Sequence, residues 1–321
     1  MWKLLRLNSG LRVFRILGVD VCVHWSWLLA LPLCVPFRNQ IAQTTPWIVA
    51  DAAALFVLVL LHEFGHALAC KSVGGTARRI VLWPLGGLAF VTPPQRPWAV
   101  IWCMAAGPLV NLAIVPLTLA AFYLGQSFEV SHDLMAFIEF VVIVNLLLLA
   151  FNLLPFYPLD GGQILRGLLW LAFGRVPSLL VASAIGLFVG VVVLVLAAAF
   201  WNFWLFVTAL FGAMQACTGM LQAWRLRRIL SGPRRPGFVC PNCRREPPVG
   251  DHWRCEKCAH RLDAFVDRFA CPKCADPNRT IPCIDCGMKA PPEEWPALPP
   301  LPPVPVFMGA AAQAVAIKGR E

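Results

Sequence analysis

The chain has 321 residues, of which 59% are hydrophobic and 14% are charged, with a net charge of +10 and a mean hydropathy of +0.68. Soluble domains carry about 25% charged residues, so these values exclude an ordinary soluble enzyme and indicate a polytopic membrane protein. The positive charge would also suit nucleic acid, but the cations cluster at the ends of apolar segments, which favours the membrane explanation. We expect no cleavable signal peptide, because no compact apolar core with a cleavage site follows the basic start.

Six apolar stretches are long enough to span a bilayer, for which about 20 residues suffice. They lie at 22–37, 47–71, 97–124, 133–155, 178–199 and 201–224. Between the second and the third, residues 76–91 are rich in β-branched and aromatic residues, which predicts a strand or hairpin at the membrane. Residues 11–23 are a further candidate strand. The predicted fold is therefore all-α and polytopic, with six transmembrane helices and short membrane-associated β-strands.

Lysine and arginine fall on alternate connections between these stretches. The N-terminal segment, the connections after the second and fourth stretches and the end of the sixth are basic, whereas the opposite loops contain almost no cations. Cytoplasmic loops are enriched in Lys and Arg, so six spans with both termini in the cytoplasm satisfy every loop. We expect a multi-pass protein of the cell membrane.

Two histidines and a glutamate interrupt the second apolar stretch in the motif HEFGH. His62 and His66 are one helical turn apart, so both imidazoles lie on one helix face. This H-E-x-x-H spacing is typical of a zinc site with Glu63 as general base. An ionisable group at the bilayer centre costs about 2.5–3.5 kcal/mol, and ligation of a metal offsets that cost. The alternative is a pair of hydrogen-bonded core histidines, which we disfavour because the chain has only six histidines.

A catalytic zinc takes three protein ligands and keeps one position open for water. The carboxylate best placed to complete the set is Asp160, in FNLLPFYPLDGGQ at 151–163. Pro155 and Pro158 break the fourth helix, and Asp160 follows its cytoplasmic end, at a depth similar to that of the histidines. The alternative role of Asp160 is a turn-forming Asp-Gly at the membrane interface.

HEFGH in one membrane helix and NLLPFYPLDGG at the end of a later one resemble the site-2 protease family, the intramembrane zinc metalloproteases of peptidase family M50. The chain is similar to the six-span branch without a PDZ domain. The sequence AGP at 106–108, followed by Asn111, resembles the family's third core helix, and VHWSWLL from Val23 resembles its first helix. The resemblance covers about residues 1–225. It implies that His62, His66 and Asp160 ligate zinc and that Glu63 activates water.

The resemblance also implies how a substrate would bind. A membrane helix of the substrate would unwind and add as a strand beside 85–91, with Gly86, Gly87 and Leu88 as substrate-binding residues. Asn152 and Asn111 are the main candidates to donate a hydrogen bond to the oxyanion, and Asn145 is a third. Interhelical hydrogen bonding is the alternative for each asparagine.

Three smaller features lie outside this constellation. His24 could reach the site, although a structural role is the simpler reading, and His132 is assigned no role. Gly186 and Gly190 form a GxxxG motif, which predicts close helix packing or, alternatively, a dimer interface.

The predicted activity is hydrolysis of peptide bonds in or near transmembrane segments of membrane-protein substrates. The alternative is a non-proteolytic zinc carrier, or a scaffold with a degenerate protease site. Glu63 separates the two, because a carrier needs metal ligands but no general base.

Eight of the thirteen cysteines form four CxxC pairs after residue 239. On the side of the membrane marked as cytoplasmic, this spacing predicts zinc rather than disulfides. We expect one zinc ribbon in each half, 240–258 and 271–286, while pairing between the halves stays open. The candidate ligands are Cys240, Cys243, Cys255, Cys258, Cys271, Cys274, Cys283 and Cys286. His252 and His260 are unnecessary as ligands. The chain would then hold one catalytic and two structural zinc ions.

The predicted domains follow the changes in composition. They are a membrane core at 1–230, a linker at 231–239, a double zinc-ribbon module at 240–290 and a proline-rich, disordered tail at 291–321. We expect the ribbons to bind a protein partner, the cytoplasmic part of the substrate or another copy of the chain. Their basic residues leave nucleic acid as a disfavoured alternative. The sequence does not fix the oligomeric state.

Overall fold

The computed structural model describes residues 11–25, 45–83, 86–255, 257–267, 269–277 and 280–295. The chain divides between Ile229 and Leu230 into two compact units. The first unit is helical and carries a small sheet, and the second is the cysteine-rich module.

Six helices build the described part of the first unit. They are α1 (Thr45–Ser72), α2 (Pro97–Ser127), α3 (His132–Asn152), α4 (Asp160–Phe173), α5 (Arg175–Ala199) and α6 (Phe203–Leu230). All except α4 are long and apolar enough to cross a membrane, which gives five candidate spans among the described residues. The predicted first span, 22–37, lies mostly outside those residues, so the count of six is not confirmed. Its expected start is wrong, because residues 22 and 23 belong to a strand.

The sequence prediction missed α4. The fourth apolar stretch was expected to run to residue 155, but α3 ends at Asn152. Pro155 and Pro158 follow in a short irregular segment, since proline lacks the N–H that a continuing helix needs. The chain then re-enters a helix at Asp160. Asp160 therefore lies in the first turn of a new helix.

A four-stranded sheet lies against α1. Its strands are β1 (Leu11–Ile16), β2 (Val19–Val23), β3 (Thr76–Trp83) and β4 (Gly86–Thr92), in the order β1-β2-β3-β4. The central pair β2–β3 is parallel, and both outer pairs are antiparallel. The predicted hairpin over 76–91 is present, and the candidate strand over 11–23 is a second hairpin. Val19, Ile80 and Leu82 are buried with Val59 and Ala67 of α1, which holds the edge strand β4 near the histidines.

The second unit has little regular structure. Four strands of two residues each form two pairs: β5 (Trp253–Arg254) with β6 (Arg261–Leu262), and β7 (Ile281–Pro282) with β8 (Lys289–Ala290). Trp253, Phe265 and Trp295 pack with the cysteines in one small core.

Residues on both sides of the predicted module, 240–290, contact it. In the expected linker, the Arg234 guanidinium donates to both carboxylate oxygens of Asp285, at 2.7 and 3.2 Å, and Arg235 pairs with Asp263. The predicted linker, 231–239, therefore contacts the module. On the other side, Trp295 is buried in the small core of the module. The rest of the predicted tail, 296–321, lies outside the described residues.

Candidate active site

Three potential metal ligands meet between α1 and the start of α4. The Nε2 atoms of His62 and His66 are 3.1 Å apart, and each is 3.1 Å from Oδ2 of Asp160. Both histidines are buried. The structure thus brings together the three side chains that the sequence proposed as one site.

The hydrogen bonds on the far side of each ring fix where the imidazole protons lie. His62 Nδ1–H donates to Asn111 Oδ1 at 2.6 Å, and His66 Nδ1–H donates to the Cys103 carbonyl oxygen at 2.7 Å. An oxygen acceptor can only receive a proton, so in the neutral ring both protons are on Nδ1. The Nε2 lone pairs of both rings consequently point at each other and at the carboxylate.

A pair of asparagines sets the orientation of the Asn111 amide. Asn145 Nδ2 donates to the backbone carbonyl of Asn111 at 3.1 Å, so Asn145 Oδ1 is the atom that accepts from Asn111 Nδ2 at 2.8 Å. This leaves Asn111 Oδ1 to accept from His62. Both ends of the Asn111 side chain are occupied, which argues against its expected role as oxyanion donor. Asn111 instead orients a histidine, as the partners behind metal ligands commonly do.

The three converging acceptors fit a cation. A single proton could bridge only one side of the triangle that they form. Zinc–nitrogen and zinc–oxygen distances of about 2.0–2.1 Å put tetrahedral ligands about 3.3 Å apart, close to the observed 3.1 Å. Two imidazoles with one carboxylate are also a known catalytic zinc set. Gly107 of α2 makes room for them, because a Cβ there would collide with both Nε2 atoms.

Glu63 lies beside the triangle and is buried. Its Oε2 accepts a hydrogen bond of 2.8 Å from the backbone N–H of Ala89 in β4. A Cβ at Gly87 would collide with the Glu63 carboxyl group, so glycine is required for this close approach. The edge strand and the proposed general base are therefore in direct contact.

A cavity of about 710 Å³ opens onto these groups. Its lining includes His62, Glu63 and Asp160, together with residues of β4, α5 and α6. Asn152 lines the cavity, and its Nδ2 donates to the Leu148 carbonyl of the same helix at 3.0 Å. Of the two main oxyanion candidates, Asn152 is the one exposed to this space.

The remaining predicted features lie elsewhere. The backbone N–H of His24 donates to the Leu82 carbonyl at 2.9 Å, beside β3, and His24 is absent from the described lining of the cavity. Gly186 packs against the carbonyl of Tyr157, and Gly190 packs against Ala213 of α6. The GxxxG motif thus serves close packing within the chain, as expected. Sequence reasoning missed the Cys103 carbonyl as a histidine partner, since a backbone acceptor leaves no mark in the side-chain pattern.

The cysteines form two tetrads in a nested arrangement, so the expected pairing within each half is wrong. The outer tetrad is Cys240, Cys243, Cys283 and Cys286, and the inner is Cys255, Cys258, Cys271 and Cys274. Sulfur–sulfur distances across the paired knuckles are 3.5–3.8 Å. Zinc–sulfur bonds of about 2.3 Å place tetrahedral thiolates about 3.8 Å apart, so both tetrads fit zinc. The imidazole of His252 contacts the Val249 carbonyl instead.

Comparison with known proteins gives one family. The model of peptidase family M50 matches residues 50–129 and 116–197. A zinc metalloprotease of Methanocaldococcus jannaschii is 29% identical over 208 residues, which are 64% of this chain and 59% of that protein. A Synechocystis protein named as a candidate zinc metalloprotease is 32% identical over 191 residues, or 56% of this chain and 50% of the relative. The chain thus spans between half and three fifths of the length of these relatives.

One solved structure extends the similarity to the fold. The site-2 protease from Methanocaldococcus jannaschii superposes with a TM-score of 0.52 at 28% sequence identity. The match covers 66% of this chain and 95% of that chain.

Proposed function

We propose that the chain belongs to the site-2 protease family, peptidase family M50, and that it is an intramembrane zinc metalloprotease. It would hydrolyse peptide bonds in or near transmembrane segments of membrane-protein substrates. The observation that carries the proposal is the triangle of acceptor atoms with sides of 3.1 Å, placed beside Glu63 and open to the cavity.

His62, His66 and Asp160 would hold the metal. When bound there, zinc would polarise a substrate carbonyl and acidify a water molecule. Glu63 would take the water proton on Oε1, because the Ala89 N–H engages Oε2, and then pass it to the nitrogen of the leaving amine. Asn152 is the proposed donor to the oxyanion. It would have to exchange its present bond to the Leu148 carbonyl for one to substrate.

The substrate would add to the free edge of β4. Ala89 points its N–H away from β3 and towards Glu63, and Gly87, Ala89 and Val91 line the cavity. In a strand, alternate residues turn their backbone groups to the same edge. An extended segment paired beside Gly86–Leu88 would therefore run past the general base. A transmembrane helix would first have to unwind, so segments with helix-destabilising residues should be preferred.

We propose that both termini face the cytoplasm and that the bilayer surrounds the helical unit, because the basic residues lie on alternate connections. The second unit would then be cytoplasmic, holding two structural zinc ions in addition to the catalytic one. Its proposed role is to bind a protein partner or the cytoplasmic part of the substrate.

The proposal is tested by Glu63→Gln in the full chain, reconstituted in vesicles with a set of transmembrane peptides. Loss of a general base typically costs about 10²–10⁴-fold in rate, while the three ligands remain, so zinc content should be unchanged. Glu139→Gln, at an exposed position of α3, is the matched control and should cleave like the unaltered chain. Equal turnover by the Glu63→Gln chain would exclude the hydrolase and leave the carrier or scaffold alternative.

A further inference from the structure

One cation lines the cavity that holds the proposed catalytic groups. Arg166 lies on α4, six residues after Asp160, which is about 9 Å along the helix at 1.5 Å per residue. Among the described residues that line the cavity, Arg166 is the one lysine or arginine. Most of the residues that line the cavity are apolar, so water screens the charge of Arg166 only weakly there.

The guanidinium of Arg166 is poorly satisfied. Nη1 donates to Oε1 of Gln163 at 3.2 Å, and the guanidinium carbon lies 5.9 Å from the centre of the Trp170 ring. Its Nε is buried without a hydrogen-bond partner. Within the part of the chain that the structure describes, no carboxylate pairs with Arg166. Arg234, in contrast, has the two-oxygen carboxylate partner that suits a guanidinium.

A cation partly removed from water without a counterion is unfavourable, because a guanidinium has five N–H donors to satisfy. We therefore expect the molecule that binds in the cavity to supply an anionic partner for Arg166. A planar fork of N–H groups fits a carboxylate better than it fits neutral groups.

We propose that Arg166 binds a carboxylate of the substrate, because its guanidinium and the proposed catalytic groups line the same cavity. The inference rests on the proposed function and gives it a substrate class: membrane segments with an acidic group near the cleavage point. The carboxylate can come from an aspartate or glutamate side chain or from a free C-terminus.

Binding to a chain that cannot cleave separates this inference from the proposed function. The full-length Glu63→Gln chain is placed in phosphatidylcholine vesicles, and the Kd is measured for fluorescent transmembrane peptides. The peptides carry Asp or the isosteric Asn at successive positions, and one pair ends in a free acid or an amide. We expect at least tenfold tighter binding for the acid member at one position. The position that responds tells a side-chain carboxylate from a terminal one.

Substitutions then assign the preference to Arg166. Arg166→Gln should abolish the difference between acid and amide, and Arg166→Lys should retain part of it. Arg228→Gln, a matched change at an exposed position of α6, should leave it intact. A substrate with Lys in place of Asp should bind the Arg166-containing chain more weakly than the Asn peptide, which tests the charge even where an Arg166 variant fails to fold.

Equal Kd values for acid and amide peptides at every position would overturn the inference, and so would an undiminished preference in folded Arg166→Gln. It would also be overturned if Arg166→Gln weakened the binding of fluorescent phosphatidylglycerol added to the phosphatidylcholine vesicles and left the binding of acidic peptides unchanged, because the cation would then serve lipid. Cleavage is scored separately with Glu63 intact. If acidic peptides bind more tightly but are not cleaved, only the proposed hydrolase activity is contradicted. If peptides are cleaved but show no preference for the acid, only the role of Arg166 is contradicted.

Discussion

In the histidine site and in both cysteine tetrads, the potential metal-ligating atoms lie within 4.8 Å of one another. The structural elements that carry these atoms differ. His62 and His66 lie on a helix of 28 residues and are held from behind by partners on a second helix of 31 residues. The cysteines of the tetrads lie on turns, and strands of two residues each flank only the turns at Cys255 and Cys283.

The difference lies in what orders the ligands. In the membrane unit, helix packing and the hydrogen bonds to Asn111 and the Cys103 carbonyl can place the imidazoles before any ion arrives. In the module, the core is a handful of side chains around the cysteines. A module of this size buries too little apolar surface to fold without a cross-link such as a bound metal ion. The histidine site should therefore result from the folding of the membrane unit, whereas zinc binding at the cysteine tetrads should be what folds the module.

Removal of metal gives the largest expected contrast. Prolonged chelation under reducing conditions should unfold the module, because ion binding supplies its folding free energy. The membrane helices should persist, since their backbone hydrogen bonds are internal and the bilayer has no water to replace them. Limited proteolysis of the full chain should then show new cuts confined to 231–295, with helical circular dichroism nearly unchanged.

Zinc added back should restore resistance to the protease, and magnesium should not, because thiolates prefer zinc. If the module stayed protected after its zinc had been removed, the contrast drawn between the two regions would be wrong.

The sequence could place His62, His66 and Asp160 in one candidate site for physical reasons, and the three side chains do lie together. A separation of four residues puts His62 and His66 on one helix face wherever the helix lies, and Glu63 between them marks the chemistry. Asp160 could be added because two prolines end a helix shortly before it. The histidine spacing is local, whereas the assignment of Asp160 also used its expected depth in the membrane, which is similar to that of the histidines.

The pairing of the cysteine knuckles was mispredicted because it is not local. CxxC spacing tells which two thiols form a knuckle, but it carries no information about which knuckles meet. The chain pairs its first knuckle, at Cys240, with its last, at Cys286, and encloses the other two. For Asn111 the sequence left two roles open, and its interhelical hydrogen bonds to Asn145 and His62 match the alternative role rather than that of oxyanion donor.

Single cysteine substitutions test the nested arrangement with a smaller effect, the loss of one ion. The full chain should contain about three zinc ions. Cys286→Ser should remove the outer ion and Cys271→Ser the inner one, each leaving about two. Cys217→Ser, at an exposed cysteine of α6 outside both tetrads, is the matched control and should keep all of them.

The pairing itself is tested by combining substitutions. Cys240→Ser together with Cys286→Ser removes two ligands from one nested site, so about two ions should remain. Ribbons confined to each half of the module would lose both structural ions with that pair. A count of about one ion would therefore contradict the nested arrangement.

The smallest expected effect is a change in the zinc affinity of the histidine site. Asn111→Leu removes the acceptor behind His62 Nδ1, and loss of such a partner typically lowers metal affinity about 10–100-fold. Asn111→Asp keeps an oxygen facing the ring and should retain most of the affinity. Zinc competition with a chromophoric chelator measures the change, and the two structural ions should be unaffected in both variants. Unchanged zinc affinity in Asn111→Leu would mean that packing alone places the imidazole, and the hydrogen bond at 2.6 Å would be incidental.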